Sequence, residues 1–229
     1  VSIVIEKDQI TEIHDRSPKP VSGEERFDAR GMTALPGFID AHAHVGYPGQ
    51  GQAGPVTPPE YVFKLWLAHG ITTVRDVGSF MGLEWTVEHA RRSAAGLIVA
   101  PRIIPYAYFP GEEITETSAA REWVKTVKKR GALGVKLRRG TKEALTAVYE
   151  ETHKLQMGTA NHHDQNSVYH MNVLDSARLG LDSMEHWYGL PEAMFTDRTI
   201  QDYPPDYNYS DEQWRFGEAG NLWLQTAKP

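Results

Sequence analysis

The apolar and polar positions of the chain fall into two regimes. Residues 1–6 and 10–14 alternate and are rich in β-branched side chains, residues 17–23 are turn-forming, and residues 27–32 fit a third short strand. This opening predicts a small antiparallel sheet over residues 1–34, attached to something else. From Leu35 the rhythm becomes strand, helix, strand, helix. Apolar runs are expected as strands at 35–41, 71–75, 102–106, 133–137, 157–161 and 182–185. Helical periods fall at 59–68, 83–95, 118–130, 142–155 and 168–179, with Gly70, Gly96, Gly131 and Gly180 as stops. Ser118 and Thr141 are the expected caps of the third and fourth helices.

About six βα units in series predict an α/β fold with parallel strands, either a doubly wound sheet or an incomplete (β/α)8 TIM barrel, over residues 35–189. Beyond Gly189 the alternation fails. Residues 190–229 read as a Tyr/Pro/Asp-rich loop and one helix over 211–227, with no seventh or eighth strand. A barrel alone takes about 250 residues. The 229 residues, some 30 of them in the opening sheet, are therefore expected to be a fragment of a longer product.

Composition narrows the chemistry. With 24 basic and 30 acidic side chains and a net charge of −6, no basic block exists to displace counterions, which argues against nucleic-acid or anionic-membrane partners. No apolar run is long enough to span a bilayer. The chain contains no cysteine, which removes disulfides, thiolate metal sites and cysteine nucleophiles. A soluble protein is expected, with the cytoplasm favoured and prior removal of a signal peptide left open because the chain starts with valine. A small-molecule substrate is the expected partner, and self-association is left open.

The sharpest local feature is Asp40-Ala41-His42-Ala43-His44 at the end of the first core strand. Residues i and i+2 of a strand point the same way, so His42 and His44 aim at one point and suit a divalent metal. His162 and His163 end the fifth core strand and His186 the sixth, all at the strand ends where βα folds gather their active sites. Alternation lets only one of His162 and His163 face that rim. His162 is favoured as a ligand, and His163 as a neighbouring or substrate contact. Lys136, ending the fourth strand, reaches the same rim. A desolvated amine loses its proton readily and can then take up carbon dioxide as a carbamate able to bridge metals. His14, His69, His89, His153 and His170 fall away from the rim and read as structural or solvated.

The run from Leu35 to His44, LPGFIDAHAH, resembles the opening signature of the amidohydrolase superfamily. Gly70-Ile71-Thr72-Thr73-Val74-Arg75-Asp76 resembles its second strand, Gly134-Val135-Lys136 its fourth, Ala160-Asn161-His162 its fifth and Glu185-His186 its sixth. Their order and spacing are similar to those of the imidazolonepropionase-like and Xaa-Pro dipeptidase-like branch. The resemblance covers about residues 1–190. It implies an amidohydrolase-type TIM barrel flanked by a β-sandwich, with His42 and His44 on one metal, carbamylated Lys136 bridging, and His162 and His186 on a second. Zinc is the usual ion. The implied activity is metal-dependent hydrolysis of C–N bonds in amides, cyclic amides or dipeptides.

The family's strand-eight aspartate, ligand and general base, has no counterpart here. Asp197, Asp202, Asp206 and Asp211 lie in loop and helix-start sequence and are not assigned that role. The catalytic base is therefore unknown, and this chain alone is expected to bind zinc without turnover. Arg138, with Arg139, could meet a substrate carboxylate, and Tyr106 with the segment to 111 and the 46–59 loop would shape the pocket. Two other readings stay open: ester or phosphoester hydrolysis on the same scaffold, and a non-catalytic metal-binding fragment.

Overall fold

The computed structural model describes residues 1–16, 18–45, 58–78, 80–163, 168, 170–195, 217, 220, 223 and 224. Two compact units divide the chain, residues 1–36 and 37–229. In the first, β1 (Ser2–Glu6) pairs antiparallel with β2 (Gln9–His14). Lys7 adopts a φ of 58° in the tight connection between them. The third strand expected at 27–32 does not form. Phe27 and Met32 are exposed and no described residue of this unit is buried, so nothing there rewards the ordering of a further strand.

The second unit holds six parallel strands in chain order: β3 (Phe38–Ala43), β4 (Ile71–Asp76), β5 (Arg102–Tyr108), β6 (Gly134–Leu137), β7 (Gly158–His162) and β8 (Ser183–Glu185). Between them run α1 (Pro59–Ala68), α2 (Leu83–Ala94), α3 (Thr117–Lys129), α4 (Lys142–Lys154) and α5 (Val173–Arg178), and the short α6 (Leu190–Ala193) follows β8. Register pairs Val74 with Ile103, Lys136 with Ala160 and His162 with Glu185. Side chains of β3 and β4 nevertheless reach those of β8 across the inner face. The sheet is thus a nearly closed, barrel-like wall, consistent with an incomplete TIM-like barrel.

Alternation decides which side chains line that wall. In β6 all four residues are buried, but Val135 and Leu137 join Ala120, Val124 and Val127 of α3 and Val148 of α4 in the helix-side core. Each such aliphatic side chain contributes about 1.5–3 kcal/mol by burial. Lys136, between them, faces inward. Likewise Ala43, Val45, Val74 and Ile103 pack with Phe63 of α1 on the helix side, leaving His42, His44 and Arg75 for the interior.

Tyr106 fills the inner face at the start of β6 and β7. A Cβ built on Gly134 would overlap its ring and one on Gly158 its hydroxyl, so both positions require glycine while Tyr106 is in place.

Several helix ends differ from the sequence pattern. The third helix is preceded by Glu116 with no side-chain cap, two residues before the expected Ser118. Thr141 does cap α4, accepting the Ala144 amide at 3.2 Å. The fifth helix starts only at Val173, because Asn172 and Asp175 form a reciprocal capping box that fixes the start there. Of the helix expected at 211–227, residues 217, 220, 223 and 224 are helical and the others lie outside the described residues. Most of the 46–59 loop is likewise outside them. No helix among the described residues is long and apolar enough to cross a membrane.

Candidate functional site

Three strand ends bring four imidazoles side by side. The ring centroids of His42 and His44 are 5.2 Å apart, those of His42 and His186 4.8 Å, and those of His162 and His186 4.7 Å. His42 comes from β3, His44 follows it, His162 ends β7 and His186 follows β8. His186 has a left-handed backbone, with a φ of 60°. A non-glycine residue held there stores strain, which concentrates at functional positions. His44 Nδ1 lies 3.2 Å from the Gly78 carbonyl, and burial lowers its basicity. The aromatic ring of Tyr188 lies 5.2 Å from His162 and 5.5 Å from His186, closing the cluster on one side.

His163 takes the other direction. Its ring is buried with Nε2 2.9 Å from Ser176 Oγ of α5, and burial pulls it down to about 4, against a smaller upward pull from Asp175. Alternation separates the two neighbours as expected: His162 stands beside His186, and His163 packs behind β7.

Lys136 is 4% exposed on the inner wall. Burial brings its amine down to about 8, opposed by the charge of Glu185 and reinforced by Arg75 and Arg138. Glu185 is the anionic centre of the interior. Burial pushes its carboxyl up, but the His42 hydrogen bond, Lys136, Ser183 and Arg75 together hold it at about 2. One oxygen accepts from His42 Nδ1, and the other accepts from Arg75 at 2.5 Å and from Ser183 Oγ at 2.8 Å. Arg75 also donates to the Ala41 carbonyl at 2.7 Å and to Ser183 Oγ at 2.9 Å, and lies 5.2 Å above the Tyr106 ring.

Behind the rim, Asp76 is fully buried and accepts from Thr86 of α2 at 2.9 Å. Burial pushes it up to about 7, against weaker lowering by Thr86 and by the amides of Val45 and Gly78.

The residues expected to meet substrate are placed differently from one another. The charge of Arg138 is felt at Lys136, whereas Arg139 pairs with Glu112 at 3.0 Å. Tyr106 is 8% exposed, stacked beneath Arg75 over Gly134 and Gly158. It also borders a cavity of about 200 Å3 with Leu83, Trp123 and Arg130 that none of the clustered histidines lines. Asp197, Asp202, Asp206 and Asp211 lie outside the described residues. The Arg75–Glu185 pairing is absent from the sequence reading. Its available signal was a charged residue on the inward parity of the second core strand.

A divalent metal is implied by the resemblance, and ring spacing tests it. Two imidazoles sharing one tetrahedral ion at about 2.0–2.1 Å per nitrogen have centroids about 5 Å apart. His42–His44 at 5.2 Å and His162–His186 at 4.7 Å fall near that spacing, as does His42–His186 at 4.8 Å, so the distances are compatible with sharing without selecting the pairs. The nitrogens themselves are not gathered: among the described residues no three His, Asp or Glu side chains already form a group that could hold an ion. The donor types suit a divalent ion, but among the described residues their nitrogens do not converge on one point.

Comparison with known proteins gives short matches. No protein-family profile matches the chain. It is 34% identical over 95 residues to adenine deaminase of Bacillus velezensis and 35% over 95 residues to that of Bacillus subtilis. It is 38% identical over 98 residues to adenine deaminase 2 of Rhizobium etli. These stretches cover 38–39% of this chain and only 15% of each relative. By name, these relatives remove an amino group from a purine base, which is cleavage of a C–N bond.

Proposed function

We propose that this chain carries the metal-binding wall of a metal-dependent hydrolase of C–N bonds. The observation that carries this reading is the adjacency of His42, His44, His162 and His186 at the ends of three strands, 4.7–5.2 Å ring to ring. His42 and His44 would hold one divalent ion, and His162 and His186 a second. Lys136, with its amine brought down to about 8, is suited to carbamylation and would bridge them. Zinc is the ion proposed. When bound, it supplies Lewis acidity, lowering the pKa of a bound water to about 7.

The chain's own residues prepare that centre. Burial keeps part of the Lys136 amine neutral, Glu185 contacts His42 Nδ1, and Tyr106 closes the inner face beneath the site. The short similarity to adenine deaminases supports an amino group on a heterocycle as the substrate class. Cyclic amides and dipeptides, the substrates of the imidazolonepropionase-like and Xaa-Pro dipeptidase-like branch, are the alternative within the same bond class.

The test is zinc reconstitution of the purified chain, elemental analysis, and ammonia release from adenine beside a cyclic amide and a dipeptide. One or two tightly held zinc ions, lost in His42→Asn and His186→Asn, are expected. Zinc content below one per chain, or content indifferent to both substitutions, would defeat the reading.

A further inference from the structure

We infer that Glu185, clamped by Arg75, is a positioning residue that fixes which nitrogen of His42 faces the rim; for its bearing on metal the inference rests on the function proposed above. Glu185 follows β7 in register, opposite His162, and its side chain is 5% exposed. One carboxylate oxygen contacts His42 Nδ1. A carboxylate can only accept, so Nδ1 carries the proton, and in the neutral imidazole Nε2 then keeps the lone pair. A histidine whose second nitrogen is tied to a carboxylate is the usual outer support of a metal ligand.

The clamp on Glu185 has its own logic. A carboxylate this deep would swing to any cation it could reach, and Lys136 is close enough to act on it electrostatically. Arg75 prevents this with three separate grips: Nη2 on Glu185 at 2.5 Å, Nη1 on Ser183 Oγ at 2.9 Å and Nε on the Ala41 carbonyl at 2.7 Å. Ala41 immediately precedes His42, so one guanidinium fixes both the backbone carrying the imidazole and the carboxylate that orients it. Lysine, whose three donors radiate from one nitrogen, cannot reproduce that planar fork.

The test reads the tautomer and the affinity separately. In metal-free protein at pH 8.5, the ring 15N shifts of His42, assigned by its loss in His42→Asn, are expected to report the Nδ1–H form. Glu185→Gln is expected to lose that preference and to bind zinc 10–100-fold more weakly in chelator competition. Arg75→Lys should weaken zinc in the same direction. Should Glu185→Gln fail to fold, Arg75→Lys carries the test. An Nε2–H His42 in the wild type overturns the inference, as does a tautomer and affinity unchanged by both substitutions. If the wild type binds no zinc, the metal reading fails, while the tautomer result still decides the positioning role.

Discussion

Arg75 of β4 and Glu185 of β8 are 110 positions apart in the chain and meet at 2.5 Å inside the wall. Their strands are separated in the sheet by β5, β6 and β7, so the contact exists only because the sheet curls. The pair is therefore a direct measure of barrel curvature. Both groups are shielded, and removing one would strand the other's charge, a loss of about 3–5 kcal/mol for buried pairs.

Asp76 sets a pH dependence. Its folded value of about 7 exceeds the ordinary 3.8, so the folded chain holds a proton that the unfolded chain releases between those values. Stability therefore falls as pH rises from about 4 to 7, and the full penalty, about 4 kcal/mol, stands above pH 7. Asp76→Asn keeps an acceptor for Thr86 and should raise urea stability by a few kcal/mol at pH 8, with little gain at pH 4. Equal gains at both pH values would contradict this.

Lys136 should be chemically distinctive. An amine at about 8 is roughly half neutral at pH 8, against less than about 1% for an ordinary lysine near 10.4. With 13C-bicarbonate at pH 8.5, a carbamate carbonyl resonance is expected in the wild type and should vanish in Lys136→Met. Its persistence in Lys136→Met would place the carbamate elsewhere.

Tyr106 and Gly158 form a steric lock. Gly158→Ala drives a methyl into the phenol and should cost about 1–3 kcal/mol, the usual penalty of overpacking. Tyr106→Leu removes the obstacle, so Gly158→Ala should cost little in that background. The double-mutant cycle measures the coupling, and additive losses would show that the methyl is accommodated some other way.

What the sequence disclosed was what lies close along it. Strand parity placed His42 beside His44 and sent His162 and His163 to opposite faces, because a period of two is local. The start of α5 was also written locally, in the Asn172–Asp175 spacing, yet the broader apolar rhythm masked it. The inward parity of Arg75 was a local trace, but its partners Glu185 and His42 were not, since curvature of the whole sheet brings them together. The strand expected at 27–32 had the right residue types, but the hairpin of β1 and β2 offers it no buried face.

The left-handed backbone at His186 has a consequence for redesign. Its ring is aimed by φ rather than by rotamer alone, so the position makes two demands of one amino acid: a donor atom and tolerance of φ near 60°. Asn, Asp and His are the non-glycine residues that visit this region most readily. An attempt to retune the site by exchanging this imidazole for a carboxylate therefore has Asp as its natural route. Glu, with the longer reach, would meet a conformational obstacle before its chemistry could be judged.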